Sequence, residues 1–106
     1  MNNWYKFSDD VMRLKDVAKI SVNMPEADFW IIRRGSIENV GKPVDDFHEE
    51  RIGVKIENTE MLFPKYAKYM MMYIWMSGYY RSLATGTTEL VNIKVSDVKD
   101  IRLKIK

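Results

Sequence analysis

Apolar and polar positions alternate cleanly between Arg51 and Ile56, with Ile52, Val54 and Ile56 on one side, which predicts a half-buried β-strand. Asn58-Thr59 marks a turn, and Pro64 stands where a first helical turn tolerates it. The period then changes. Tyr66, Tyr69/Met70, Tyr73/Ile74 and Met76 recur at helical spacing, predicting a helix to about residue 83 in which Gly78 is a weak point or a close approach for another backbone. Phe29-Trp30-Ile31-Ile32-Arg33-Arg34 is aromatic and β-branched, reading as a strand buried on at least one face and ended by Gly35-Ser36. Upstream, Ser8 caps an acidic first turn, and Val11, Leu14 and Ala18 keep a helical period to about residue 20. Leu14-Lys15-Asp16-Val17 could instead open a short strand–helix turn. Pro25 places a loop over about residues 22–27, and Gly41 and Pro43 break the polar stretch 36–50. Leu90 to Val95 reads as a strand and Ser96-Asp97-Val98-Lys99-Asp100 as a capped helical turn. Ile101, Leu103 and Ile105 alternate with Arg102, Lys104 and Lys106, as on an exposed edge strand. The expectation is an α+β fold: one small domain over residues 1–106, its mixed or antiparallel sheet packed on one long aromatic, Met-rich helix.

A chain of 106 residues supports one core and not two. It has no Cys, which removes disulfides, thiolate nucleophiles and Cys-based zinc sites and suits a cytoplasmic setting. The first residues have no apolar core of the kind a signal peptide needs. The most apolar run, Tyr69 to Met76, is far shorter than the roughly 20 residues a bilayer span requires, so no membrane partner is expected. Net charge is +2 but unevenly spread. Residues 38–50 carry five acids (Glu38, Asp45, Asp46, Glu49, Glu50) against Lys42, whereas residues 65–106 carry eight Lys and Arg against three acids. A basic C-terminal part suits a phosphate backbone, although scattered surface charge gives the same count.

The chemistry is that of binding. Thr85-Gly86-Thr87-Thr88-Glu89-Leu90-Val91-Asn92-Ile93 follows the helix, and its small polar residues offer hydroxyls and backbone N–H groups unobstructed by bulk. Tyr79, Tyr80 and Arg81 at the helix end can touch phosphates or simply pack. Arg33 and Arg34 end a strand, where alternation sends them to opposite faces, so at most one serves a given surface. His48 is the sole His, and the acids around it match no calcium loop, so the segment reads as a solvated acidic loop. A nucleophilic Ser or Thr would need His48 or a Lys as its base, and no Gly-x-Ser-x-Gly, phosphate loop or dinucleotide fingerprint is present. Neither a catalytic residue, a metal nor a cofactor is expected. The run Met70-Met71-Met72 with Trp75 and Met76 reads as core, the alternative being an adaptable sticky surface.

Several of these segments, in this order, resemble the target recognition domain of type I restriction–modification specificity subunits. Leu14-Lys15-Asp16-Val17-Ala18-Lys19-Ile20 is similar to the family's opening "Leu-Gly-Asp-Val-Ala-x-Ile". The helix over residues 66–83, the Gly86-Thr87-Thr88 loop, Asn92-Ile93, Ser96-Asp97-Val98 and Ile101-Arg102-Leu103 are similar to its closing helix, Gly-Ser/Thr loop, strand, short helix and final strand. Phe29 to Ser36 looks like the strand and turn that carry an early recognition loop. Family domains are usually longer, paired within one chain and followed by long helices, so the resemblance is to a stand-alone, minimal form of the kind a phage or mobile element would carry.

The resemblance implies a non-catalytic domain that binds double-stranded DNA, with a second copy of the chain or restriction–modification subunits as further partners. Arg33, Arg34, Lys42 and Arg81 are the expected phosphate contacts, and Thr85, Gly86, Thr87, Thr88 and Asn92 the groups that reach phosphates or base edges. The rival expectation is a protein-interaction or anti-restriction accessory module that keeps the fold without DNA affinity, which the low net charge and the acidic segment 38–50 favour.

Overall fold

The alternating segment forms the middle of the fold. In the computed structural model, which describes residues 12–87 and 89–103, β5 (Ile52–Ile56) is flanked on both edges by antiparallel partners, β1 (Ala18–Val22) and β2 (Phe29–Ile31). β4 (Pro43–Val44) closes the far side, giving the order β1-β5-β2-β4. A Pro is admissible there because β4 pairs on one edge only. Four of the five β5 residues are buried, as a central strand requires, and Lys55 reaches outward to Asp28 at 3.2 Å. The second Asp28 oxygen accepts the Ile56 N–H at 2.8 Å. All three residues of β2 are buried, and the Trp30 indole N–H is satisfied by the Met24 carbonyl at 2.9 Å.

Three further pieces form a separate small sheet. β3 (Arg34–Gly35), β6 (Thr85–Gly86) and β7 (Val91–Asn92) line up in the order β3-β7-β6, antiparallel throughout. The expected continuous strand over residues 29–34 is therefore two strands in two sheets, with Ile32 and Arg33 as the joint. α2 (Val95–Lys99) follows β7, and its first turn is closed by Asp97, whose carboxylate accepts the Lys94 N–H at 2.7 Å. Beyond it, Ile101 and Leu103 are buried, and the expected edge strand reduces to a bridge between Arg13 and Arg102. Ile105 lies outside the described residues, as do the first positions of the expected N-terminal helix.

Two expectations are corrected. Residues 14–20 are not helical: Leu14–Asp16 is a single 3-10 turn closed by Asp16, and the chain then enters β1. Ala18 and Ile20 are buried while Lys19 is exposed, a period of two that the open edge of β5 turns into a ladder. Second, α1 spans Pro64–Met76 instead of reaching residue 83. It stops before Gly78, whose φ of +82° is a left-handed helix end, and a 3-10 turn over Tyr79–Ser82 follows. Nor is α1 core on every side. Ala67 and Met71 are buried in the cluster formed with Phe29, Ile31, Ile52 and Val54, and Met70 and Ile74 are only partly buried against it. Tyr66, Tyr69, Tyr73 and Met76 face solvent. Among the described residues no helix is long and apolar enough to cross a membrane.

Candidate nucleic-acid interface

The small sheet collects polar groups from two distant parts of the chain, β3 and the β6–β7 hairpin. Its register sets Arg34 opposite Asn92 and Asn92 opposite Thr85. Directly opposed residues share a face with their Cβ atoms about 5 Å apart, so a guanidinium, an amide and a hydroxyl form one row. All three side chains are exposed, whereas Val91 and Ile93, pointing the other way, are buried. Gly35 and Gly86 flank Val91 on that inner side. A Cβ at Gly86 would come within 2.4 Å of the Leu90 carbonyl oxygen, so this glycine permits the tight closure of the β6–β7 hairpin. Thr87 completes that closure. Its hydroxyl accepts the Leu90 N–H at 3.1 Å and donates to the Leu90 carbonyl at 3.3 Å.

Beside the row lies an open cleft of about 450 Å³ lined by Arg33, Arg34, Asn39, His48, Arg51 and Leu90, among others. Both Arg33 and Arg34 line it. The expectation that a strand would send them to opposite faces fails because regular strand geometry is interrupted at Ile32 and Arg33. Among the described residues no carboxylate lies within 4 Å of either guanidinium. The opposite wall is the 45–51 segment, brought here by the pairing of Ile31 with Ile52, which sets Arg51 next to Ile32. Arg51 is neutralised: Nη1 donates to the Asp46 carbonyl and lies 2.9 Å from the Asp46 carboxylate. The Arg51 guanidinium, hydrogen-bonding to the Asp46 carboxylate, holds that carboxyl below its ordinary value of 3.8. Asp45 pairs with Lys68 on α1. The acidic loop thus directs two of its carboxylates to cations of its own domain, while a third, Glu50, lines the cleft without coming within 4 Å of the Arg33 or Arg34 guanidinium. His48 accepts the Glu50 N–H on Nδ1 at 3.2 Å, which leaves Nε2 as its N–H donor.

The remaining expected site residues are elsewhere. Lys42 lies over the Trp75 ring, its ammonium 5.3 Å from the centroid, and does not line the cleft. Arg81 is exposed on the 3-10 turn leading toward β6 and is likewise absent from the lining. Thr88 lies outside the described residues. Tyr80, considered for phosphate contact, is instead buried, and burial pushes its phenol well above the ordinary range. Asn39, His48, Arg51 and Leu90 were not among the expected residues; they enter through the β2–β5 register and the hairpin turn, neither of which leaves a motif. Among the described residues no three His, Cys, Asp or Glu side chains gather as metal ligands would.

A four-stranded antiparallel sheet, one main helix and a second, three-stranded sheet make this an α+β domain. The same fold occurs in the crystal structure of the S subunit of a type I restriction–modification system from M. genitalium, with a TM-score of 0.64 over 86% of this chain. Sequence identity is 16%, so the likeness is one of fold, and the chain spans 32% of the length of that S subunit. A scan against protein-family models and a search of curated protein sequences both find no match.

Proposed function

We propose that this domain binds duplex DNA without catalysing a reaction on it, using the Arg34–Asn92–Thr85 row and the adjoining cleft. The carrying observation is the register that sets these three groups in one row beside Arg33, with neither the Arg33 nor the Arg34 guanidinium ion-paired among the described residues. Arg33 and Arg34 take phosphates, and Asn92 and Thr85 are short enough to approach base edges or sugar oxygens. Asn39 and His48, which also line the cleft, add polar groups to it. The likeness to an S subunit and the order of motifs in the chain support this reading. Restriction–modification subunits are the protein partners it implies.

The test is a titration of labelled duplex DNA at several salt concentrations. Each phosphate contact contributes a slope of about −0.9 in log K against log salt. The wild-type chain should show a slope for a few contacts, and Arg33→Ala/Arg34→Ala should lower its magnitude by about 2. Affinity that ignores salt, or a double variant with an unchanged slope, would sink the proposal and favour the protein-interaction rival.

A further inference from the structure

The outer face of α1 has no partner in this fold. Phe63, Tyr66, Tyr69, Tyr73 and Met76 are each between 61% and 74% exposed. At about 100° per residue the last four fall within an arc of roughly 80°, and Phe63 stands just ahead of the helix as its N-cap. Ala67 and Met71, the buried pair, lie on the other side of the helix. At 150–250 Å² per large aromatic, the five side chains together expose on the order of 600–700 Å². That meets or exceeds the largest apolar patch of a typical monomer, roughly 300–600 Å². It is close to the roughly 800 Å² that each partner contributes to a standard interface.

We propose that this stripe is a self-association surface, on which α1 of a second copy of the chain packs antiparallel about a two-fold axis. The sequence of the stripe is the reason for choosing a second copy. Phe63 and Met76 are equally distant from the midpoint between Tyr69 and Met70, and so are Tyr66 and Tyr73. An antiparallel two-fold centred there sets Phe63 against the partner's Met76, and Tyr66 against the partner's Tyr73. Tyr69 lies beside the axis itself. Phe63 meets a thioether and Tyr66 an aromatic ring, so each layer places compatible apolar groups together, as a self-complementary interface does. The charges agree. The stripe carries no acid; Lys65 at its border falls opposite Ile74 of the other helix and not opposite its own copy, and Lys68 is already paired with Asp45. No like charges meet across the axis. The phenol hydroxyls lie at the rim, where water or the neighbouring backbone satisfies them.

This proposal is independent of DNA binding, and its test is made on the full chain. Sedimentation across the micromolar range should show a concentration-dependent species of twice 12.6 kDa. Tyr66→Glu/Tyr73→Glu should weaken self-association by roughly a hundred-fold or more while leaving the circular dichroism of the fold unchanged, because both side chains are already in water. Tyr66→Phe/Tyr73→Phe should still associate. The absence of Cys permits a sharper measurement. Tyr69→Cys lies beside the axis and should oxidise to a disulfide-linked dimer, whereas Glu57→Cys, exposed and off α1, should not. Arg33→Ala/Arg34→Ala should dimerise like the wild type whatever its DNA affinity. A chain that stays monomeric throughout, a dimer indifferent to the Glu substitutions, or equal cross-linking from positions 57 and 69 would each overturn the proposal.

Discussion

Replacing Gly41 by Ala should be among the most damaging single-methyl changes in this domain. Gly41 is buried, its N–H donates to the Ile32 carbonyl at 2.8 Å, and its φ is +91°. Holding Ala in that conformation costs about 1–2 kcal/mol. The new methyl would also stand 2.1 Å from Tyr80 Cδ2 and 2.7 Å from Cγ. A ring has no flexible end to withdraw, and Tyr80 is fully buried with Tyr79 packed edge-on at 5.3 Å between centroids. Forced repacking of that kind adds about 1–3 kcal/mol. The sum, about 2–5 kcal/mol, is a large part of the 5–15 kcal/mol expected for a whole domain. Two controls separate its components. Gly78→Ala has a similar φ of +82° but meets nothing nearer than Arg81 Cδ at 3.8 Å, so it should show the conformational cost alone, about 1–2 kcal/mol. Gly35→Ala, in ordinary strand geometry with Ile32 Cγ2 at 3.8 Å, should cost little. Urea midpoints at constant m-value measure all three. Tyr80→Leu placed in the Gly41→Ala background should restore part of the loss, a coupling readable from the double-mutant cycle. Equal costs at positions 41 and 78, with no coupling to position 80, would refute the packing of Tyr80 over Gly41. The contact also bears on the candidate site, because Tyr80 anchors the turn through which the chain reaches Thr85.

Four other substitutions test three separate parts of the reasoning. The Tyr80 hydroxyl is buried with no hydrogen-bond partner among the described residues, so Tyr80→Phe should match or exceed wild-type stability at neutral pH. Because burial raises the folded pKa above the ordinary 10.0, the wild type keeps full stability below pH 10.0 and loses it as pH rises further; Tyr80→Phe should flatten that alkaline loss, and an identical pH profile would place the phenol in water. Met71→Asp should unfold the domain, since an unpaired buried carboxylate costs several kcal/mol, whereas Met76→Asp on the exposed face should leave the monomer folded; similar melting of the two would put the wrong face of α1 inward. Thr87→Ala removes both hydroxyl bonds to Leu90, so hydrogen exchange at the hairpin should quicken with a loss of about 1 kcal/mol; unchanged exchange with weakened DNA affinity would make the hydroxyl a binding contact instead of a turn closure.

Local chemistry was enough for some of this protein. Ile52, Val54 and Ile56 mark a buried strand because alternation needs no partner to be recognised, and Pro64 and Asp97 mark their helix starts because capping is settled within one turn. The α+β class follows from such segments taken together. Other features were decided only by the folded arrangement. Residues 14–20 keep both a helical and an alternating period, and the open edge of β5 selected the second by supplying backbone partners to β1. The spacing on α1 announced an apolar helix without telling its inward face from its outward one, since Tyr and Met suit either; Ala67 and Met71 face inward because that side meets the sheet. Alternation sent Arg33 and Arg34 apart, and the break between two sheets brought them to one cleft. His48 looked like part of a solvated acidic loop and Arg51 like the start of a strand, yet the pairing of Ile31 with Ile52 brings both to the cleft. Arg34 lies about half the chain away from Thr85 and Asn92, and their meeting in one row is a matter of strand register. Register is a pairing between segments, set by backbone hydrogen bonds and by which faces can be buried together, and no single segment carries it.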